Sequence, residues 1–156
     1  MFKNNKVSPY VLKTMLSLYP PFLFSRVRVK EVSQDFMHIK VCVKQSLLNN
    51  NLSGTIFGGT LFSAADPFFA LMYWQVFAHR YDRKVKVWLK SAEIKYKRPA
   101  IGNIYLEFNL SEAEIKQAKE DLDAKGKHNQ NHEVLLKNAK GEICAIVNSI
   151  TYVGLP

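Results

Sequence analysis

Asp66 is the residue around which chemistry most readily gathers. It is the only acid between Asp35 and Asp82, and it lies inside the apolar run from Ile56 to Ala78. A carboxylate in such surroundings can act as a general base on water or attack a carbonyl carbon itself, and its spacing leaves both roles open. Upstream, Gly58-Gly59 stand where a polar loop enters the apolar run. The free N–H groups of a helix start carry the positive end of the helix dipole, and glycine lets a ligand oxygen come close. Such a pair would polarise a carbonyl and hold its oxyanion, at about 3 kcal/mol per donor. Its plainer role is tight packing of the helix start. Asn51, beside Asn49 and Asn50, is a candidate to bind water or a carbonyl, or simply a loop former. Lys95, Lys97 and Arg98 precede Pro99 as a basic row, suited to phosphates or to solvation on a strand face.

The element that must position these residues is a helix from Gly58 to about Arg80, apolar nearly all round and so covered on most sides. Asp66-Pro67 also fits a helix N-cap followed by proline at the first helical position, but Thr60 to Ala65 holds no turn residue. With the start at Gly58, Pro67 lies inside the helix and kinks it, because the Ser63 carbonyl loses its N–H partner. From Gly59 to Asp66 such a helix rises about 10 Å, too far for both to serve one carbonyl. A second copy lying antiparallel would bring the glycines of one chain to the carboxylate of the other, so the spacing predicts at least a dimer.

The rest of the chain supplies the cover. Ser8-Pro9 opens a short helix that Pro20-Pro21 stops. A hairpin follows, with Val27 and Val29 in one strand, a break of phase near Glu31, and Phe36 to Lys44 in the other. Beyond the long helix, Val85 to Arg98 alternates with a phase slip near Lys90-Ser91, the mark of a bulge. Asn103 to Leu110 is a further strand. Ser111 and Glu114 form a capping box for a charged surface helix that Gly126 ends. His128 to Lys137 and Ile143 to Val153 close the chain as a hairpin. Hairpin-linked strands are largely antiparallel, and one apolar helix is buried by such a sheet only if the sheet curls around it. The expectation is a single α+β domain over residues 1–156, a hotdog fold.

The run Asn51-x-x-Gly54-Thr55-x-Phe57-Gly58-Gly59, with Asp66 following, resembles the signature of hotdog thioesterases of the phenylacetyl-CoA thioesterase type. Lys97-Arg98-Pro99-Ala100-x-Gly102 and the closing strand fit their later strands. Phe-Gly-Gly followed by Ala65-Asp66-Pro67 is most similar to a poorly characterised branch. The resemblance implies hydrolysis of an acyl-CoA thioester without a cofactor, coenzyme A being part of the substrate. Asp66, Asn51, Gly58 and Gly59 would be catalytic. Thr55, Phe57, Lys95, Lys97 and Arg98 would bind substrate, in a pocket shared between subunits of a homodimer or homotetramer. Better-studied members carry His where this chain has Phe57, and a phenyl ring cannot orient a carbonyl as an imidazole can. A non-catalytic acyl-CoA or fatty-acyl binding protein is therefore the second expectation.

Composition bounds both. The chain has 156 residues, 47% apolar, with a net charge of +9, which excludes a disordered state. Residues 1–30 hold six bases and no acid, and residues 80–98 carry a net of +6. Such blocks suit an anionic partner: nucleic acid, a membrane surface or a phosphorylated small molecule. Nucleic acid is the least expected, because Tyr73 and Trp74 fall in the apolar helix and not on a stacking platform. Cys42 and Cys144 make neither a disulfide framework nor a zinc site. The four histidines show no metal spacing. The polar start is no secretory signal, and Asp66-Pro67 argues against a membrane span. A cytoplasmic protein is expected.

Overall fold

A computed structural model describes residues 6–156, and its elements follow the periodicities closely. Ser8 caps α1 (Pro9–Leu18), its hydroxyl accepting from the Val11 N–H. Pro20-Pro21 end α1 as expected but also open a second short helix, α2 (Pro20–Ser25), since proline suits a helix's first turn. β1 (Val27–Val32) and β2 (His38–Val43) pair antiparallel, and the phase break is a bulge between Val29 and Glu31 that lets the strand continue to Val32.

The central helix is in two pieces, α3 (Gly58–Ala65) and α4 (Phe68–Tyr81). The expected kink at Pro67 is thus a full interruption. Asp66 keeps right-handed helical dihedrals and its N–H reaches the Ser63 carbonyl only at 3.4 Å. Its side chain caps nothing, so the N-cap reading of Asp66 fails. β3 (Lys86–Tyr96) is bulged between Leu89 and Ser91, as the phase slip implied, and stops two residues short of Arg98. β4 (Ile104–Asn109), α5 (Glu112–Lys125) with both bonds of its capping box, β5 (Lys127–Asn138) and β6 (Ile143–Gly154) complete the chain.

The six strands form one antiparallel sheet in the order β1-β2-β4-β5-β6-β3. It curls around α4, whose Phe68, Met72, Tyr73, Val76 and Phe77 are fully buried against Ile39, Val41, Ile104, Leu106 and Phe108. Each such side chain contributes about 1.5–3 kcal/mol of burial. This is the hotdog arrangement. Both cysteines are free and buried, and burial raises both thiols. Among the described residues no helix is long and apolar enough to cross a membrane, and no cluster of metal-binding side chains occurs.

α5 seals the flank of α4 with Ile115, Ala118 and Leu122, and two β5 histidines face it. His128 Nδ1 lies 2.7 Å from Asp121, and His132 Nδ1 3.6 Å from Glu114. The His132 ring stacks on Phe69 at 3.8 Å. Burial lowers its pKa from 6.5 to about 4, overriding the opposite pull of Glu114. The folded protein thus refuses a proton that the unfolded chain accepts. Stability is lost as pH falls from about 6.5 toward about 4, by up to ~1.4 kcal/mol per unit. His132→Gln should flatten that part of a plot of thermal midpoint against pH; an unchanged slope would assign the acid sensitivity to other groups.

Candidate functional site

The loop from Gln45 to Phe57 is built by its own amides. Gln45 Nε2 donates to Asn50 Oδ1 at 2.9 Å and to the Gly54 carbonyl at 2.8 Å, while its Oε1 accepts from the Gly102 N–H at 2.6 Å. The Ile56 N–H donates to the Ala100 carbonyl at 2.9 Å. These bonds hold the loop against the turn that follows β3. Asn51 Oδ1 accepts from the N–H groups of Ser53 and Thr55, and Asn51 Nδ2 donates to Thr55 Oγ1 at 2.8 Å. Its side chain is therefore spent on the loop, the role of a loop former.

The loop delivers the chain to α3 with Phe57 at the N-cap position, where no side chain satisfies the first N–H groups. The Thr60 and Leu61 N–H groups use the Phe57 carbonyl. Those of Gly58 and Gly59 have no acceptor among the described residues. The glycines also let two exposed aromatic side chains pack close. A Cβ at Gly59 would stand 2.4 Å from the Phe57 ring, and one at Gly58 2.7 Å from Tyr96 Oη. Close packing and free donors thus coexist at one helix start.

A cavity of about 380 Å³ opens there. It brings together Asn51, Thr55, Gly58, Lys97 and Arg98 of the expected set, with Tyr96 and Pro99 beside them. Lys95 does not line the cavity; its ammonium lies 3.7 Å from Glu93, two residues back on the same strand. Arg98 pairs with Glu142 at 2.7 Å, both half exposed, and Lys97 makes no ion pair among the described residues. Phe57 is exposed, and its ring lies against Gly59.

Asp66 is elsewhere. It lines a narrow cleft with Phe62, Ala65, Leu89, Ala92, Val147 and Ser149, between α3 and the inner face of β3 and β6. One side of the carboxylate meets solvent and the other this largely apolar wall, whose desolvation raises its pKa above the ordinary carboxylate value. It makes no ion pair among the described residues. In one chain the free donors and the carboxylate are separate, as the helical rise required.

Three contributors escaped sequence reasoning. Tyr96 ends the alternating row Ala92, Ile94, Tyr96, half exposed where the row reaches the cavity, and continuing that alternation could have found it. Ser149 is opposite Ala92 in the β3–β6 ladder and opposite His132 in the β5–β6 ladder; no local pattern reveals this. Gln45 carries no motif at all.

Comparison with solved structures gives the same fold over nearly the whole chain. A protein of unknown function and probable thioesterase from Pseudomonas aeruginosa superposes with a TM-score of 0.84 at 20% identity, covering 96% of this chain and 98% of that one. A thioesterase from Haemophilus influenzae gives 0.66 at 11% identity, over 98% and 94%. The Escherichia coli PaaI protein from the phenylacetic acid degradation operon gives 0.63 at 14% identity, over 89% and 87%. No curated protein matches the chain in sequence. A family model described as a domain of unknown function, DUF4442, matches residues 9–153.

Asn51→Ala should free the Ser53 and Thr55 amides, raising the hydrogen exchange of each about fivefold, for the loss of about 1 kcal/mol per bond. Asn51→Asp, which keeps the acceptor, should leave exchange nearly unchanged. Unaltered exchange in the alanine variant would return Asn51 to the list of free ligand-binding groups.

Proposed function

The chain belongs to the DUF4442 family, and from its site we propose that it hydrolyses an acyl thioester, with acyl-CoA as substrate, in a pocket shared by two copies. The observation that carries this reading is the start of α3: two N–H groups without an acceptor among the described residues, under an N-cap residue that can supply none, with Gly58 lining a cavity that Lys97 and Arg98 also line. The thioester carbonyl oxygen takes the missing acceptor's place. Lys97 and Arg98 receive the phosphates of coenzyme A, with Thr55 and Tyr96 forming the wall between. The names of the structural neighbours support the same class of reaction.

Asp66 comes from the second copy. Among the described residues β3 is an edge strand that pairs with β6 alone, and such an edge invites pairing with another chain. An antiparallel neighbour would set its α3 beside this one and bring its Asp66 to the carbonyl. As a base, Asp66 accepts a proton from water while the water oxygen adds to the carbonyl carbon. The oxyanion rests on the Gly58 and Gly59 N–H groups. The carbon–sulfur bond then breaks, and the proton passes to the departing thiolate, leaving acid and free coenzyme A. As a nucleophile, Asp66 forms an anhydride that water opens to the same products. The reaction needs no cofactor. Two free, buried cysteines suit a reducing cytoplasm.

One observation favours a second reading. Phe57 lies over Gly59 where a polar side chain could have turned toward a carbonyl; a protein that holds acyl-CoA without cleaving it would be built in the same way.

Asp66→Asn should lower kcat at least about a hundredfold. Because the folded pKa of Asp66 is raised, the charged form opposes folding above the ordinary carboxylate range. The variant's thermal midpoint at neutral pH should therefore be equal to or above wild type. The rate should rise with pH through a limb shifted upward from an ordinary aspartate, and the variant should lack that limb. Mixing Asp66→Asn with an inactive Gly58→Leu protein should restore activity, because hybrid dimers hold one intact site. No hydrolysis by wild type of any acyl-CoA in a chain-length panel would establish the binding reading.

Lys97→Ala should raise KM for acyl-CoA with less effect on kcat, and should leave an acyl-pantetheine substrate untouched. Equal losses on both substrates would make Lys97 a structural residue.

A further inference from the structure

We propose that α1, α2 and the neighbouring Leu47-Leu48 turn form a face that docks on an anionic membrane surface. α1 and α2 are apolar on both sides. Leu12 and Phe22 are buried in the core, while Tyr10, Leu18 and Phe24 point outward at 76%, 64% and 66% exposure. A soluble helix normally carries charge on that outer row; here Tyr10, Thr14 and Leu18 follow one another at four-residue spacing, and Tyr19 and Leu23 extend the surface.

The turn adds to the same face. Asn49 Nδ2 donates to the Ser25 carbonyl at 2.8 Å and to the Lys44 carbonyl at 2.9 Å. The Lys44 N–H donates to the Arg26 carbonyl at 3.0 Å. These bonds fix the turn beside the end of α2, with Leu47 at 95% exposure and Leu48 close behind. Apolar surface of this extent on a soluble protein marks a contact site.

Charge selects the occupant. Residues 1–30 contain no acid, and Lys13, Lys30 and Lys44 join no ion pair among the described residues. Leucines and aromatics flanked by unneutralised bases match the boundary of an anionic bilayer, where apolar side chains enter the acyl region and lysines meet lipid phosphates. Neither helix can cross the bilayer, so the protein lies on it. The Phe57 N–H donates to the Asn49 carbonyl at 2.7 Å, so the docking turn is continuous with the start of α3 and the cavity entrance.

The test is co-sedimentation of the full chain with vesicles of phosphatidylcholine alone, or of phosphatidylcholine mixed with phosphatidylglycerol. The expected result is binding to the anionic vesicles that weakens with added salt. Lys13→Ala and Lys44→Ala should each weaken it about fivefold. Leu18→Glu with Phe24→Glu should weaken it at least about tenfold, with the thermal midpoint and solution mass unchanged. Failure to sediment with either vesicle would overturn the proposal, as would undiminished binding of the double variant. A fall in solution mass of that variant would also overturn it, by showing that a second copy covers the face. Each readout is independent of thioester hydrolysis.

Discussion

Pro67 has no N–H, and the arrangement of the candidate site follows from that absence. An uninterrupted helix of this composition would carry Asp66 as one more residue on a cylinder closed by its own hydrogen bonds. With the Ser63 carbonyl deprived of its regular partner, the cylinder stops at Ala65 and restarts at Phe68. Asp66 stands at the break, half in solvent and half against the β3 and β6 wall. The same break leaves α3 as a short helix, whose start and end both remain close to bulk solvent and to any neighbouring chain.

Elements with a strong period or a cap were legible before any coordinates. The capping box at Ser111 and Glu114, the Gly126 stop, the bulges near Glu31 and Ser91 and the closing hairpin all emerge where local sequence places them. These features are decided within a few residues, so their information is local. Pro20-Pro21 shows the limit: the residues that must end one helix also suit the first turn of the next, and nothing nearby distinguishes a stop from a stop and restart.

The candidate site was legible only in part, for a different physical reason. Gly58, Gly59 and Asp66 announce themselves by standing out from their surroundings. The role of Asn51 depended on which partners its amide would find, and it found the backbone of its own loop. Lys95 and Lys97 share a charge and lie two residues apart, yet β3 ends between them at Tyr96 and only Lys97, in the turn beyond, lines the cavity. Tyr96 and Gln45 act through contacts that close only when β3, the Pro99 turn and the loop meet, and no spacing encodes such a meeting.

The ladder between β4 and β5 has a consequence of its own. It consists of the pairs Ile104–Asn138 and Tyr105–Lys137 alone, while β5–β6 and β3–β6 are paired along almost their full lengths. The sheet is therefore two three-stranded leaves, β1-β2-β4 and β5-β6-β3, stitched at one end. Beyond β4 the chain enters α5, whose apolar stripe packs on the β5 side of that seam. A seam of so few backbone bonds bends at low cost compared with a continuous ladder. The curvature of the barrel, and hence the width of the groove that receives α4, is set by side-chain packing along that seam.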